Sequence, residues 1–177
     1  MKTFITLTFI GILTNAYAGS ISECKQPTPV VDGFKATEFH TGTWYVTHVA
    51  NKTEPTDCRT LSTSTRNPGT NDKTYIVEHP YEVGNEKKLH CEAKPEAQKR
   101  LTFACKTDGK DTDSTIFIAM ATDYKDYALY YLCTTVLSGS DKGQKYDNFL
   151  VARRSPSNEI PGKLQDLTKN LNLQRCS

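Results

Sequence analysis

Apolar and polar positions alternate along much of this chain with a period of two, the period of a half-buried strand. Leu101, Phe103 and Cys105 share one face, with Thr102 and Lys106 off it. Ile116, Ile118 and Met120 share another, opposite the smaller Thr115 and Ala119. Strands are predicted over Trp44–Ala50, Cys58–Thr65, Lys73–His79, Lys87–Ala93, Arg100–Thr107, Thr112–Ala121, Tyr127–Leu137 and Lys145–Arg153. These segments are rich in Thr, Tyr, Val, Ile and Phe, which suit a pleated surface. Turn chemistry separates them at Asn67-Pro68-Gly69, Val83-Gly84-Asn85, Asp108-Gly109 and Ser138-Gly139-Ser140. Eight short strands joined in sequence predict an all-β fold, an eight-stranded antiparallel up-and-down barrel. Closure removes the edges that an open sheet would expose.

The period changes after Ile160-Pro161-Gly162. Ile160, Leu164, Leu167 and Leu171 recur at helical spacing, with Lys163, Gln165, Asp166, Lys169 and Asn170 between them. A C-terminal α-helix is expected to lay these leucines on the outside of the barrel. The strand Tyr127 to Leu132 is apolar on both faces and calls for such a cover.

The first residues have the pattern of a leader. Lys2 precedes an uncharged run, Phe4 to Leu13, and Ala16-Tyr17-Ala18 is a small-x-small cleavage site. The run is shorter than the roughly 20 residues a membrane helix needs. Cleavage after Ala18 would leave one domain, residues 19–177, secreted and without a membrane anchor. With 22 Lys and Arg against 20 Asp and Glu the chain is near neutral, and no basic stripe argues for nucleic acid or a membrane surface. A monomer is expected.

All six cysteines, Cys24, Cys58, Cys91, Cys105, Cys133 and Cys176, follow the leader. An even number in an oxidising compartment implies three disulfides. Spacing cannot choose among the possible pairings, but Cys91 and Cys105 lie equidistant from Gln98 around the turn 94–98, where a hairpin would bring them face to face. Asn51-Lys52-Thr53 is a glycosylation sequon, expected on a surface loop.

Three motifs occur in order. Gly42-Thr43-Trp44 opens the first strand, Thr122-Asp123-Tyr124 lies between the sixth and seventh, and Arg153-Arg154 closes the last. They resemble the three conserved regions of the lipocalins. The resemblance implies that Trp44 plugs one end of the barrel and that Arg153 or Arg154 covers it through a cation–π contact. Phe34 to Phe39, Gly42 to Thr47 and Thr122 to Ala128 further resemble the salivary lipocalins of blood-feeding triatomine bugs, the group that includes triabin, pallidipin, procalin and the nitrophorins. That resemblance implies the bridges Cys24–Cys133 and Cys58–Cys176, leaving Cys91–Cys105 as the pair the hairpin already suggested.

Catalysis has little footing. G-x-S-x-G and H-E-x-x-H are absent, and three disulfides would leave no thiol as nucleophile. Haem is the sharper alternative, because nitrophorins hold it through a histidine near the barrel mouth. An ungapped reading puts that position on Glu78, one residue before His79. A shift of one reverses the face of a strand, so His79 is expected outside and haem is not expected. Binding remains. Eight strands enclose room for one small ligand. Alternation places Val46, His48, Phe103, Ile118, Met120 and Tyr131 as cavity candidates, with Glu54, Asp57 and Glu78 as carboxylates at the mouth for a cationic ligand. The resemblance implies interference with host haemostasis or inflammation by sequestering an eicosanoid, a biogenic amine or a nucleotide. The alternative is a surface inhibitor of thrombin, contact activation or collagen-induced platelet aggregation. A passive reading is a salivary protein that the host meets as an allergen.

Overall fold

The hairpins close into a ring. In the computed structural model, which describes residues 19–51, 58–82, 85–96 and 99–176, a single-turn helix α1 (Ala36–Phe39) precedes the strands. These are β1 (Gly42–Val49), β2 (Thr60–Arg66), β3 (Thr74–Glu82), β4 (Asn85–Ala93), β5 (Leu101–Thr107), β6 (Lys110–Thr122), β7 (Tyr127–Val136) and β8 (Lys145–Arg153). Every neighbouring pair is antiparallel, and β1 closes the barrel by pairing with both β2 and β8. Asp108 (φ 51°) and Gly109 (φ 75°) make the β5–β6 turn, the two left-handed residues of a type I′ hairpin. The leader expected over residues 1–18 lies outside the described residues.

β1 changes partner along its length. Gly42 to Tyr45 pair with β2; beyond that point the same edge takes a two-residue strand, β9 (Gln174–Arg175). The Cys58–Cys176 disulfide fixes this arrangement, Cys24–Cys133 ties the N-terminal segment to β7, and Cys91–Cys105 bridges directly opposed residues of β4 and β5.

The C-terminal helix is shorter than its leucine spacing suggested. A 3-10 turn (Gly162–Leu164) runs into α2 (Gln165–Thr168), and Leu171 lies beyond it. The packing is nevertheless as expected. Leu164 is fully buried, and Ile160, Leu167 and Leu171 pack with it on the outer face of β6, β7 and β8. Ile21, Cys24 and Val30 from the N-terminal segment complete this layer. The barrel therefore has two apolar clusters, one inside and one outside the wall of β6 to β8.

The closed end is built around Trp44, which is fully buried and donates its Nε1–H to Phe39 O at 2.9 Å. Arg154, not Arg153, lies over the indole, its guanidinium carbon 3.7 Å from the ring centroid. Its N–H groups also donate to the carbonyls of Thr41 (2.6 Å), Thr43 (3.1 Å), Phe39 (3.1 Å) and Tyr124 (3.2 Å). Gly42 adopts φ 79°, a conformation open to glycine, and a Cβ there would stand 3.8 Å from Arg154 Nη1. Arg153 turns outward and grips Asp126 with two nitrogens, Nη2 to Oδ1 at 2.9 Å and Nε to Oδ1 at 3.1 Å. Asp123 Oδ1 accepts N–H bonds from Lys125, Asp126 and Tyr127 at 2.8 to 3.1 Å. Burial works to raise the Asp123 pKa, but these backbone donors outweigh it and hold the carboxyl below its ordinary value.

Candidate functional site

Inside the barrel is a cavity of about 710 Å³, within the range of sites that take a small organic ligand. Its floor is aromatic. Phe39 and His40, at the end of α1, meet Phe103 of β5, Phe117 of β6 and Tyr130 of β7. Phe39 and Phe117 stand 5.2 Å apart, Phe117 and Tyr130 5.3 Å, and His40 lies 5.6 Å from Phe103. Small and β-branched residues leave the space above them: Thr63, Val77, Thr115 and Thr134, with Leu61, Leu132 and Leu150 on the walls.

Two of the cavity candidates line it, Val46 and Phe103. Ile118, Met120 and Tyr131 do not; they belong to the outer cluster under the C-terminal segment. Apolarity cannot tell the faces of β6 and β7 apart, because both are covered. The inner residues there are Phe117 and Ala119 on β6, and Ala128, Tyr130 and Leu132 on β7. The Tyr131 hydroxyl accepts from Lys25 N–H at 2.8 Å and donates to Asp147 Oδ2 at 3.2 Å. Burial, with the Asp147 charge, pushes its pKa to about 12. His48 is also turned away. The β1–β8 register shifts between Val46 and His48, and the extra residue, Thr47, reverses the alternation. His48 is buried beside β9, with its Nδ1 hydrogen-bonded to Thr47 Oγ1 at 3.0 Å, and has its pKa lowered by burial and by Arg175.

The pair Glu78 and His79 is reversed from the ungapped expectation. Val77 and His79 face the cavity. Glu78 points outside, 2.9 Å from His90 Nδ1, and is no mouth carboxylate. The outward orientation used to set haem aside therefore does not hold. What the His79 ring meets is Arg59, whose Nη1 lies 2.6 Å from Nδ1 and 2.9 Å from Nε2. A guanidinium only donates, so the imidazole accepts. Glu54 and Asp57 fall outside the described residues. Asn51 ends the β1 segment with its Nδ2 donating to Asp147 O at 3.1 Å; the rest of its sequon is likewise outside the described residues.

Charge enters the cavity through residues that sequence reasoning passed over. Arg59, just before β2, lines it, as do Asp113 and, at the β7–β8 loop, Asp141. Burial raises the Asp113 pKa, against the opposing effects of Thr112 and the Arg59 charge. On the floor, burial pushes the His40 pKa down to about 4, and the Arg154 charge adds to the fall. His40 Nδ1 donates to Ala36 O at 2.8 Å. Among the described residues no three His, Cys, Asp or Glu side chains are grouped to hold a metal ion. The arrangement is an apolar interior with an aromatic floor and a few charged side chains on its wall.

Comparison with known proteins agrees with this geometry. The triabin family profile matches residues 21–166. Procalin of Hospesneotomae protracta is 43% identical over 177 residues, covering 99% of each chain. Triabin of Meccus pallidipennis is 32% identical, covering 91% of this chain and 96% of its own. The crystal structure of LTBP1 with leukotriene C4 superposes with a TM-score of 0.62 at 28% identity, covering 84% of this chain and 90% of that one. The chain belongs to the triabin family of lipocalins.

Proposed function

We propose that this chain is a secreted binding protein that sequesters a small amphipathic acid of the eicosanoid type in its barrel, and thereby blunts a host haemostatic or inflammatory signal. The observation that carries this reading is the cavity itself: about 710 Å³, aromatic at the floor, with Arg59 on its wall. The apolar chain of the ligand lies against Phe39, Phe103, Phe117 and Leu132, and the carboxylate meets the Arg59 guanidinium. Such a charge-assisted pair is among the stronger single contacts a cavity can offer. The leukotriene complex of LTBP1, at 28% identity, supports the same ligand class. Secretion is supported by the three disulfides.

A cationic amine is the second reading, favoured by Asp113 and Asp141 on the same cavity. Its weakness is size, since a cavity of this volume leaves a small amine loosely held. Surface inhibition of a clotting or platelet protein has less support. Among the described residues Leu137 is the sole exposed large hydrophobic side chain, and protein interfaces are anchored by buried apolar groups.

Calorimetric titration with arachidonic acid, its methyl ester, serotonin and histamine tests the reading. The acid should bind at least about tenfold more tightly than the ester, the scale of one charged hydrogen bond. Arg59→Met should bring the acid down to the level of the ester. Binding of either amine with no binding of acid or ester would overturn it.

A further inference from the structure

The cavity floor carries a polar atom, on His40, that no hydrogen bond among the described residues uses. His40 is almost wholly buried, at 1% exposed, and lines the cavity. Its Nδ1 is turned to α1, where it donates to Ala36 O at 2.8 Å. That bond puts the ring proton on Nδ1, so the neutral imidazole carries a lone pair on Nε2. Among the described residues Nε2 has no hydrogen-bond partner, and His40 lines the cavity. The His40 ring packs among aromatic rings: Phe39 at 5.1 Å, Tyr75 at 5.1 Å, Phe103 at 5.6 Å and Phe117 at 5.9 Å, centroid to centroid.

We propose that His40 Nε2 is the floor acceptor of the cavity and reads a hydroxyl group carried on the buried part of the ligand chain. The inference rests on the fatty-acid reading above and sharpens it from amphipathic acids to hydroxylated ones. An unsubstituted chain pressed against Nε2 strips water from a lone pair and gives nothing back, whereas a hydroxyl donates to it. The same lone pair repels a carboxylate, so the ligand enters chain first, head toward Arg59. Burial keeps the ring neutral through the physiological range, so Nε2 remains an acceptor and never becomes a donor there.

The register of β1 limits which hydroxyl can reach. Val46 N–H donates to Arg59 O, and Gly42 marks the start of the strand next to His40. Four strand residues span about 13 Å. A hydroxyl close to the carboxylate falls short of the floor, and one on the middle or far part of a twenty-carbon chain arrives at it.

The test is a set of titrations of the full mature chain with arachidonic acid and its derivatives hydroxylated at carbon five, twelve or fifteen. At least one of the latter two should bind about tenfold more tightly than arachidonic acid, and the carbon-five isomer should show no such gain. His40→Phe keeps the ring volume and should abolish the preference. Ala36 O still accepts the backbone N–H of residue 40 at 2.9 Å, so the variant retains that helix bond. His40→Gln, whose amide reaches the Nε2 position, should restore part of the preference, and His40→Asn, which mimics Nδ1 alone, should not. Equal affinity for all four acids, or a preference that survives in His40→Phe, overturns the inference and leaves the fatty-acid reading standing. Absence of binding by any of the four overturns both.

Discussion

Replacing Arg154 by Ala should remove the cover from the closed end of the barrel. The guanidinium sits 3.7 Å over the Trp44 ring and donates to four carbonyls within 3.2 Å, those of Thr41, Thr43, Phe39 and Tyr124. A partly desolvated cation–π contact contributes about 1–2 kcal/mol. Hydrogen bonds from a charged donor contribute about 1.5–3 kcal/mol each at best. The four share one side chain that water partly reaches, and the freed carbonyls can be rehydrated, so they do not add. A loss of about 3–4 kcal/mol is expected for Arg154→Ala. Arg154→Lys keeps the charge but not the planar fork and should lose about half as much. The assay is urea unfolding with disulfides intact, accepted only where the m-value is unchanged; in a thermal scan the alanine variant should melt roughly 10 °C lower. Arg153→Ala is the control. Its partner Asp126 is half-exposed, and its loss should be about 1 kcal/mol. A cost under about 1 kcal/mol for Arg154→Ala, or an equal cost for Arg153→Ala, would show that Arg154 does not hold the closed end.

Stability should also depend on His40. Its pKa falls from 6.5 to about 4 on folding, so the unfolded chain takes up the proton first, and stability declines as pH drops from about 6.5 to about 4, by about 3 kcal/mol in all. His40→Phe should flatten that part of the pH profile measured by urea unfolding; an unchanged slope would count against a buried neutral ring. The disulfides should differ by loop length. Replacing Cys91 and Cys105, 14 residues apart, should cost about 3 kcal/mol, and replacing Cys24 and Cys133, 109 apart, about 4–5 kcal/mol. Equal losses would show that chain entropy is not what separates them.

Much of this fold is legible in the sequence, because strands, turns and a cysteine pair across a hairpin are local features. The three disulfides, the barrel and the Trp44 plug match what the residues and the lipocalin resemblance implied. Faces were less legible, for identifiable reasons. Ile118, Met120 and Tyr131 look like core and are core, but of the outer cluster; a strand covered on both sides has no polar face to give its orientation away. On β6 the better signal was the smaller face, where Thr115 and Ala119 leave room beside Phe117. His48 was misplaced by one bulge residue, Thr47, which no periodicity announces. Glu78 and His79 were exchanged because the ungapped reading fixed the face by analogy; the pairing of Val77 with Thr63 and Cys91 fixes it by register. Arg59 and His40 lie at strand and helix ends, where alternation stops being informative. A histidine directly after Phe39 and four residues after Ala36 was the available hint of a capped turn.

The central claim, that the interior of the barrel is the binding site, is tested most directly by titrating arachidonic acid into the wild type, Leu132→Trp and Leu164→Ala. Leu132 lines the cavity, and an indole there fills space that the ligand needs. Leu164 is fully buried in the outer cluster, and its truncation should cost about 2–5 kcal/mol of stability. With folding checked by circular dichroism, Leu132→Trp should lose ligand affinity by more than about tenfold, and Leu164→Ala should bind as the wild type does despite its lower stability. Full affinity in a folded Leu132→Trp variant would contradict the account.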